Sequence, residues 1–171
     1  MTDPEPIAKL DRRFSDPDAA ATPWPETARA LDRAELYWLT TVRADGRPHV
    51  TPLIAVAQDG AIHFTTGLGE QKARNLEHSP QVALTTGTNT WAHGLDVVVE
   101  GTAVRISDGG TLQRLADAFE AKYGEAWHYD VGEGLFLHSG GEHSAAVFRV
   151  EPTKVMAFAK APHAQTSYRF P

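Results

Sequence analysis

Thr65 and Thr66 stand directly before Gly67, Leu68 and Gly69, and Lys72 and Arg74 follow within the next five residues. Two hydroxyls, two flexible glycines and two cations at the start of a short helix make a cradle for a phosphate or another anion. The free N–H groups of a first helical turn carry partial positive charge, and a lysine or arginine adds a charge-assisted donor. Against this, two cations on a solvated helix face are ordinary, and threonines suit any strand. Adjacency is what raises the four residues to a candidate site.

Little else in the chain does chemistry by itself. No Gly-x-Ser-x-Gly elbow occurs. Zero cysteines remove disulfides, thiolate metal sites and cysteine nucleophiles together. The eight histidines are dispersed, His138 and His143 miss the helical i, i+4 spacing, and no His-Glu-x-x-His is present, so no metal is expected. Gly132–Gly141 fails the dinucleotide fingerprint because Leu137 takes the place of the third glycine, and it reads as a mobile connection covering the site. Trp91 is a candidate for stacking on a ring, although local packing is the favoured role for such a residue. The chemistry is therefore expected to be borrowed from an anionic cofactor.

Composition narrows the class further. With 171 residues, 42% hydrophobic and 22% charged, the chain suits one soluble domain. A net charge of −6 argues against a dedicated nucleic-acid binder. No apolar run approaches the roughly 20 residues that span a bilayer, and the first residues lack a signal peptide's pattern. A cytoplasmic protein without a membrane partner is the expectation.

The elements that must position the cradle follow from periodicity and turns. Residues 1–25 hold five prolines among polar residues and read as an extended arm, leaving 26–171 as the cofactor-binding domain. A helix is expected over Glu26–Ala34. Leu36–Arg43 and Arg47–Val56 are β-prone runs around Asp45-Gly46, and Asp59-Gly60 precedes a strand at Ala61–Thr66. The helix from 70 to 78 stops before Pro80. Further strands are expected at Gln81–Thr86, Leu95–Ile106, Ala145–Val150 and Lys154–Phe158, the last two joined by a turn at Glu151-Pro152. Ser107-Asp108 should cap a helix running to Tyr123. Pro48 and Pro52 in one run point to an edge strand or a close backbone approach. Six or seven antiparallel strands with flanking helices and no βαβ alternation describe a closed or nearly closed barrel.

The order of these pieces resembles a known family. Thr40–Leu53, Gly60–Thr66, Lys72–Pro80, Val98–Ala103 and the tail Gln165–Phe170 are similar to the split-β-barrel flavin and deazaflavin oxidoreductases, the superfamily named for pyridoxamine 5′-phosphate oxidase. Lys-x-Arg-Asn-Leu-x-x-x-Pro looks most like the actinobacterial branch using the deazaflavin F-420, and Gln71 stands where FMN-using oxidases often have arginine. The resemblance implies a homodimer with F-420, or alternatively FMN, in a groove between protomers. It implies that Lys72, Arg74, Thr65 and Thr66 bind cofactor phosphate, and that Val50, Thr51 and Pro52 lie along the ring with Thr41 nearby. Gln165 and Arg169 of the tail would reach the site, with Tyr168 a candidate proton donor. The expected activity is hydride transfer between the cofactor and a small unsaturated or quinone-like substrate. A non-catalytic carrier of flavin, deazaflavin or haem is the alternative.

Overall fold

A computed structural model describes residues 5–138 and 143–170. Strand β1 (Ile7–Leu10) and a 3-10 turn (Arg12–Phe14) precede helix α1 (Trp24–Arg33). Within the stretch read as an arm, Ile7–Leu10 thus joins the sheet. Strands β2 (Tyr37–Val42), β3 (Pro48–Leu53), β4 (Ala55–Gln58) and β5 (Ala61–Gly67) lead to helix α2 (Gln71–His78). After β6 (Gln81–Thr86) and β7 (Gly94–Ile106) comes α3 (Gly109–Tyr123), whose first turn is capped by the Asp108 carboxylate accepting from the Thr111 N–H at 2.8 Å. A hairpin of β8 (Tyr129–Gly132) and β9 (Leu135–His138), then β10 (Ser144–Lys160) and β11 (Ala164–Arg169), complete the chain.

Every pairing is antiparallel, and the order is β1-β11-β10-β7-β6-β2-β3, with β5 and then β4 branching from β10. The path β4-β5-β10-β7-β6-β2-β3 curls round until β3 and β4 meet at Ile54 in the chain without pairing, so the sheet is split rather than closed. Seven strands lie on that path. Four more extend it, which is why eleven are observed where six or seven are expected. The run 47–56 divides at this seam, and β3 pairs with β2 alone, as its two prolines require of an edge.

The expected break at Glu151-Pro152 does not occur. β10 is one strand of 17 residues, with a bulge between Pro152 and Lys154 that absorbs the missing N–H. Opposite it, a Cβ on Gly101 would lie 2.4 Å from the Glu151 carbonyl oxygen, so only glycine allows this approach. Inside the barrel Tyr37, Leu39, Phe64, Leu84, Val97 and Val155 are buried. On the outer side Leu112, Leu115 and Phe119 of α3 pack with Val56, Val147, Tyr129 and Phe136. Each such large side chain adds roughly 1.5–3 kcal/mol by leaving water. This second layer holds β5 between two packed faces, and the end of β5 delivers the cradle.

Candidate functional site

β5 brings Thr66 and Gly67 to the start of α2, and four residues of backbone complete a pocket of donors. The Gly67 N–H donates to Glu70 Oε1 at 2.7 Å, and the Lys72 ammonium pairs with the other carboxylate oxygen. The Lys72 side chain is 7% exposed, whereas that of Glu70 is 51% exposed. Partial burial opposes ionisation of Glu70, but Lys72, the Gly67 N–H and Thr66 outweigh it and hold the carboxyl below its usual value. Glycine suits position 67 because a Cβ would come 3.2 Å from Glu70 Oε1. The loop thus closes on the protein's own carboxylate.

The predicted residues do not all converge. Positions two apart on a helix point roughly 200° away from each other, so Lys72 is buried and Arg74 is exposed. Alternation along β5 separates the threonines similarly. Thr66 is buried at the cradle, and Thr65 lines a neighbouring cleft of about 540 Å³ with Tyr129. Thr41 is fully buried and accepts from Asn75 Nδ2 at 2.8 Å, which ties α2 to β2. On β3 the Thr51 hydroxyl is buried without a hydrogen-bond partner. Val50 and Pro52 face outwards beside Trp38, with Val50 54% and Trp38 49% exposed.

The C-terminal residues sit elsewhere. Four strands separate β11 from β3 in the sheet order. Tyr168 is buried, pairs with the Thr27 hydroxyl, donates to the Thr22 carbonyl at 2.8 Å and packs edge-on against Trp24. Burial pushes its phenol up. Tyr168 therefore serves the core, which corrects its candidacy as a proton donor. Gln165 lines a cleft of about 330 Å³ with Trp91 and Lys160, and Arg169 is exposed opposite Ile7.

Two further expectations change. Trp91 is 83% exposed, touching His163 at 5.6 Å, so local packing does not account for it. It overhangs a cleft of about 750 Å³ whose floor holds Lys160, ion-paired with Asp96 at 2.7 Å. Gly132–His138 belongs largely to the β8–β9 hairpin rather than to a connection, and residues 139–141 of that segment lie outside the described residues. The alternation Tyr129, Val131 and Leu135, Leu137 around Glu133-Gly134 is the signal that finds this hairpin, and both turn residues have positive φ.

Glu70 is the member of the Gly67–Lys72 cluster that the sequence does not single out. An acidic side chain two residues before a lysine carries no periodic signal, and only the loop geometry joins them. His63 and Arg149, paired across β5 and β10, also hold buried nitrogens without partners. Among the described residues no helix is long and apolar enough to cross a membrane, and no three of His, Asp and Glu group as a metal site.

A family model described as pyridoxamine 5′-phosphate oxidase matches residues 24–158. No curated protein matches the chain. Among solved structures, a conserved hypothetical protein from Mycobacterium tuberculosis is 20% identical, with 85% of this chain and 89% of that chain covered and a TM-score of 0.66. HutZ, the haem storage protein from Vibrio cholerae, is 20% identical over 80% and 93% of the two chains, TM-score 0.62. An F420 reductase is 23% identical over 74% and 93%, TM-score 0.55.

Proposed function

This chain belongs to the pyridoxamine 5′-phosphate oxidase family, and from that premise we propose that it is a cytoplasmic F-420-dependent oxidoreductase. The substrate is a small unsaturated or quinone-like molecule. The observation that carries the reading is the cradle at Gly67–Lys72, where a buried ammonium and a backbone N–H already clasp the two oxygens of one anion. Two features suit the cofactor. Glu70 stands in for its phosphate, and the Thr51 hydroxyl, on the face of β3 opposite to Val50 and Pro52, lacks a partner.

In this reading Lys72, Thr66 and the Gly67 N–H hold the phosphate, with Thr65 and Arg74 flanking it. Val50, Thr51 and Pro52 run along the ring, and Thr41 fixes α2 behind them through Asn75. F-420 supplies the hydride chemistry when bound. The chain orients it, shields it from water and sets the charge around it. A homodimer is part of the proposal: a second copy would cover the exposed row of Val50, Pro52 and Trp38. It would also bring Gln165 and Arg169 towards the partner's cofactor, since they stand four strands away from β3 in their own protomer.

FMN is the alternative cofactor on the same residues. A haem carrier is the second reading, favoured by the likeness to the haem storage protein. Side-by-side titration of the purified protein with F-420, FMN and haem tests all three. Preferential haem binding overturns the oxidoreductase. Tight F-420 binding without oxidation of the reduced cofactor by any acceptor makes the protein a carrier.

A further inference from the structure

Glu70 closes the cradle with both of its oxygens, so an incoming anion must replace it on the Gly67 N–H and on Lys72. The two partners differ in freedom. Lys72 is buried and cannot swing out, whereas the Glu70 side chain is half exposed and borders the 540 Å³ cleft shared with Thr65, Gly67, Trp127 and Tyr129. Its backbone cannot leave. The Glu70 N–H donates to the Gly67 carbonyl at 3.0 Å, and the Glu70 carbonyl accepts from the Arg74 N–H at 3.2 Å. A displaced carboxylate therefore stays tethered within one side chain's length of whatever replaces it.

We propose that Glu70 determines which phosphate the cradle accepts, disfavouring a dianionic monoester against a singly charged diester. The inference rests on the reading of this loop as the cofactor's anion site. Repulsion between fixed charges scales with the charge on the ligand. A phosphate monoester carries about −2 above its second ionisation at about pH 6, whereas a diester carries a single charge. FMN ends in a monoester, and F-420 carries a diester at that position. Glu70 thus selects F-420 by penalising FMN more heavily, in addition to competing with both.

The test is Glu70→Gln titrated with FMN and F-420 at pH 8 beside the unaltered protein, with thermal melting as the control for folding. Glutamine keeps an acceptor for the Gly67 N–H and removes the charge. FMN should gain about tenfold or more in affinity and F-420 only about threefold. An equal gain for both, or none, overturns the selection, and loss of F-420 binding in Lys72→Ala would then still support the cofactor reading. If neither cofactor binds any form, phenyl phosphate and methyl phenyl phosphate, followed by NMR shifts, replace them as monoester and diester. A larger Glu70→Gln gain for the monoester keeps the inference while the cofactor reading falls. Should Glu70→Gln fail to fold, Glu70→Asp retracts the carboxylate by one methylene and must shift the same ratio in the same direction, by less.

Discussion

The start of α2 and the strand β11 both bury a long polar side chain, and they do so by opposite means. Lys72 is held by a charged, half-exposed neighbour. Tyr168 is held by a threonine hydroxyl and a backbone carbonyl inside the core, with Trp24 against its ring. A neutral, fully enclosed network fixes the fold, because nothing from solvent can take its place. A charge pair open on one side leaves an exchangeable partner. Burial of a polar residue thus identifies a site only when its partner is free to go.

The largest effect expected from this contrast is on stability. Tyr168→Ala should lower the unfolding free energy by about 3–5 kcal/mol, and Tyr168→Phe by about 1–2 kcal/mol through the unpaired groups left behind. Urea denaturation measures both. Anion affinity of the folded variants should not change, and a specific loss of affinity would erase the distinction between the two regions.

His63 gives the case of a buried group beside a like charge. Burial first, and the Arg149 charge second, hold its imidazole down to about 4. An unfolded histidine titrates at about 6.5, so the native state binds fewer protons between these values. Stability is then full above about pH 6.5 and declines as pH falls towards 4, by up to about 3 kcal/mol. The difference between the parent and His63→Gln, followed by denaturation at pH 7 and pH 4.5, should contain that slope. A flat difference would show that the imidazole is not neutral in the native state.

Smaller effects should appear at α2. Lys72→Ala should weaken F-420 or FMN binding by about 1.5–3 kcal/mol, roughly tenfold to a hundredfold, while the fold persists. Arg74→Ala, at an exposed position, should cost less than about 1 kcal/mol. Calorimetric titration separates the two. A loss at Arg74 equal to that at Lys72 would assign it to the cofactor as well.

Much of the fold is legible in the sequence because local chemistry fixes it. Asp59-Gly60 adopts positive φ at both residues, Asp108 caps α3, and Pro80 lies just beyond α2. Pro48 and Pro52 mark the edge strand for the same reason. What was misread depends on distant partners. Pro152 looks like a turn residue until β7 supplies Gly101 opposite, and Trp91 looks like packing until its side chain proves to be 83% exposed. The sequence places Thr66, Gly67 and Lys72 together at the start of α2, as the structure does. The cradle's separation from Arg74 requires knowing which helix face is buried, and its occupant Glu70 requires the loop's conformation.

β10 has a consequence for biosynthesis. It supplies partners to β5, β7, β9 and β11, yet it is the second-last strand to be made. On the ribosome, β5 and β7 must wait with open edges until residues 144–160 emerge, a long delay for pairing between distant segments. Chaperones engaging the nascent chain, and aggregation of prematurely released chains, should both centre on those two waiting edges.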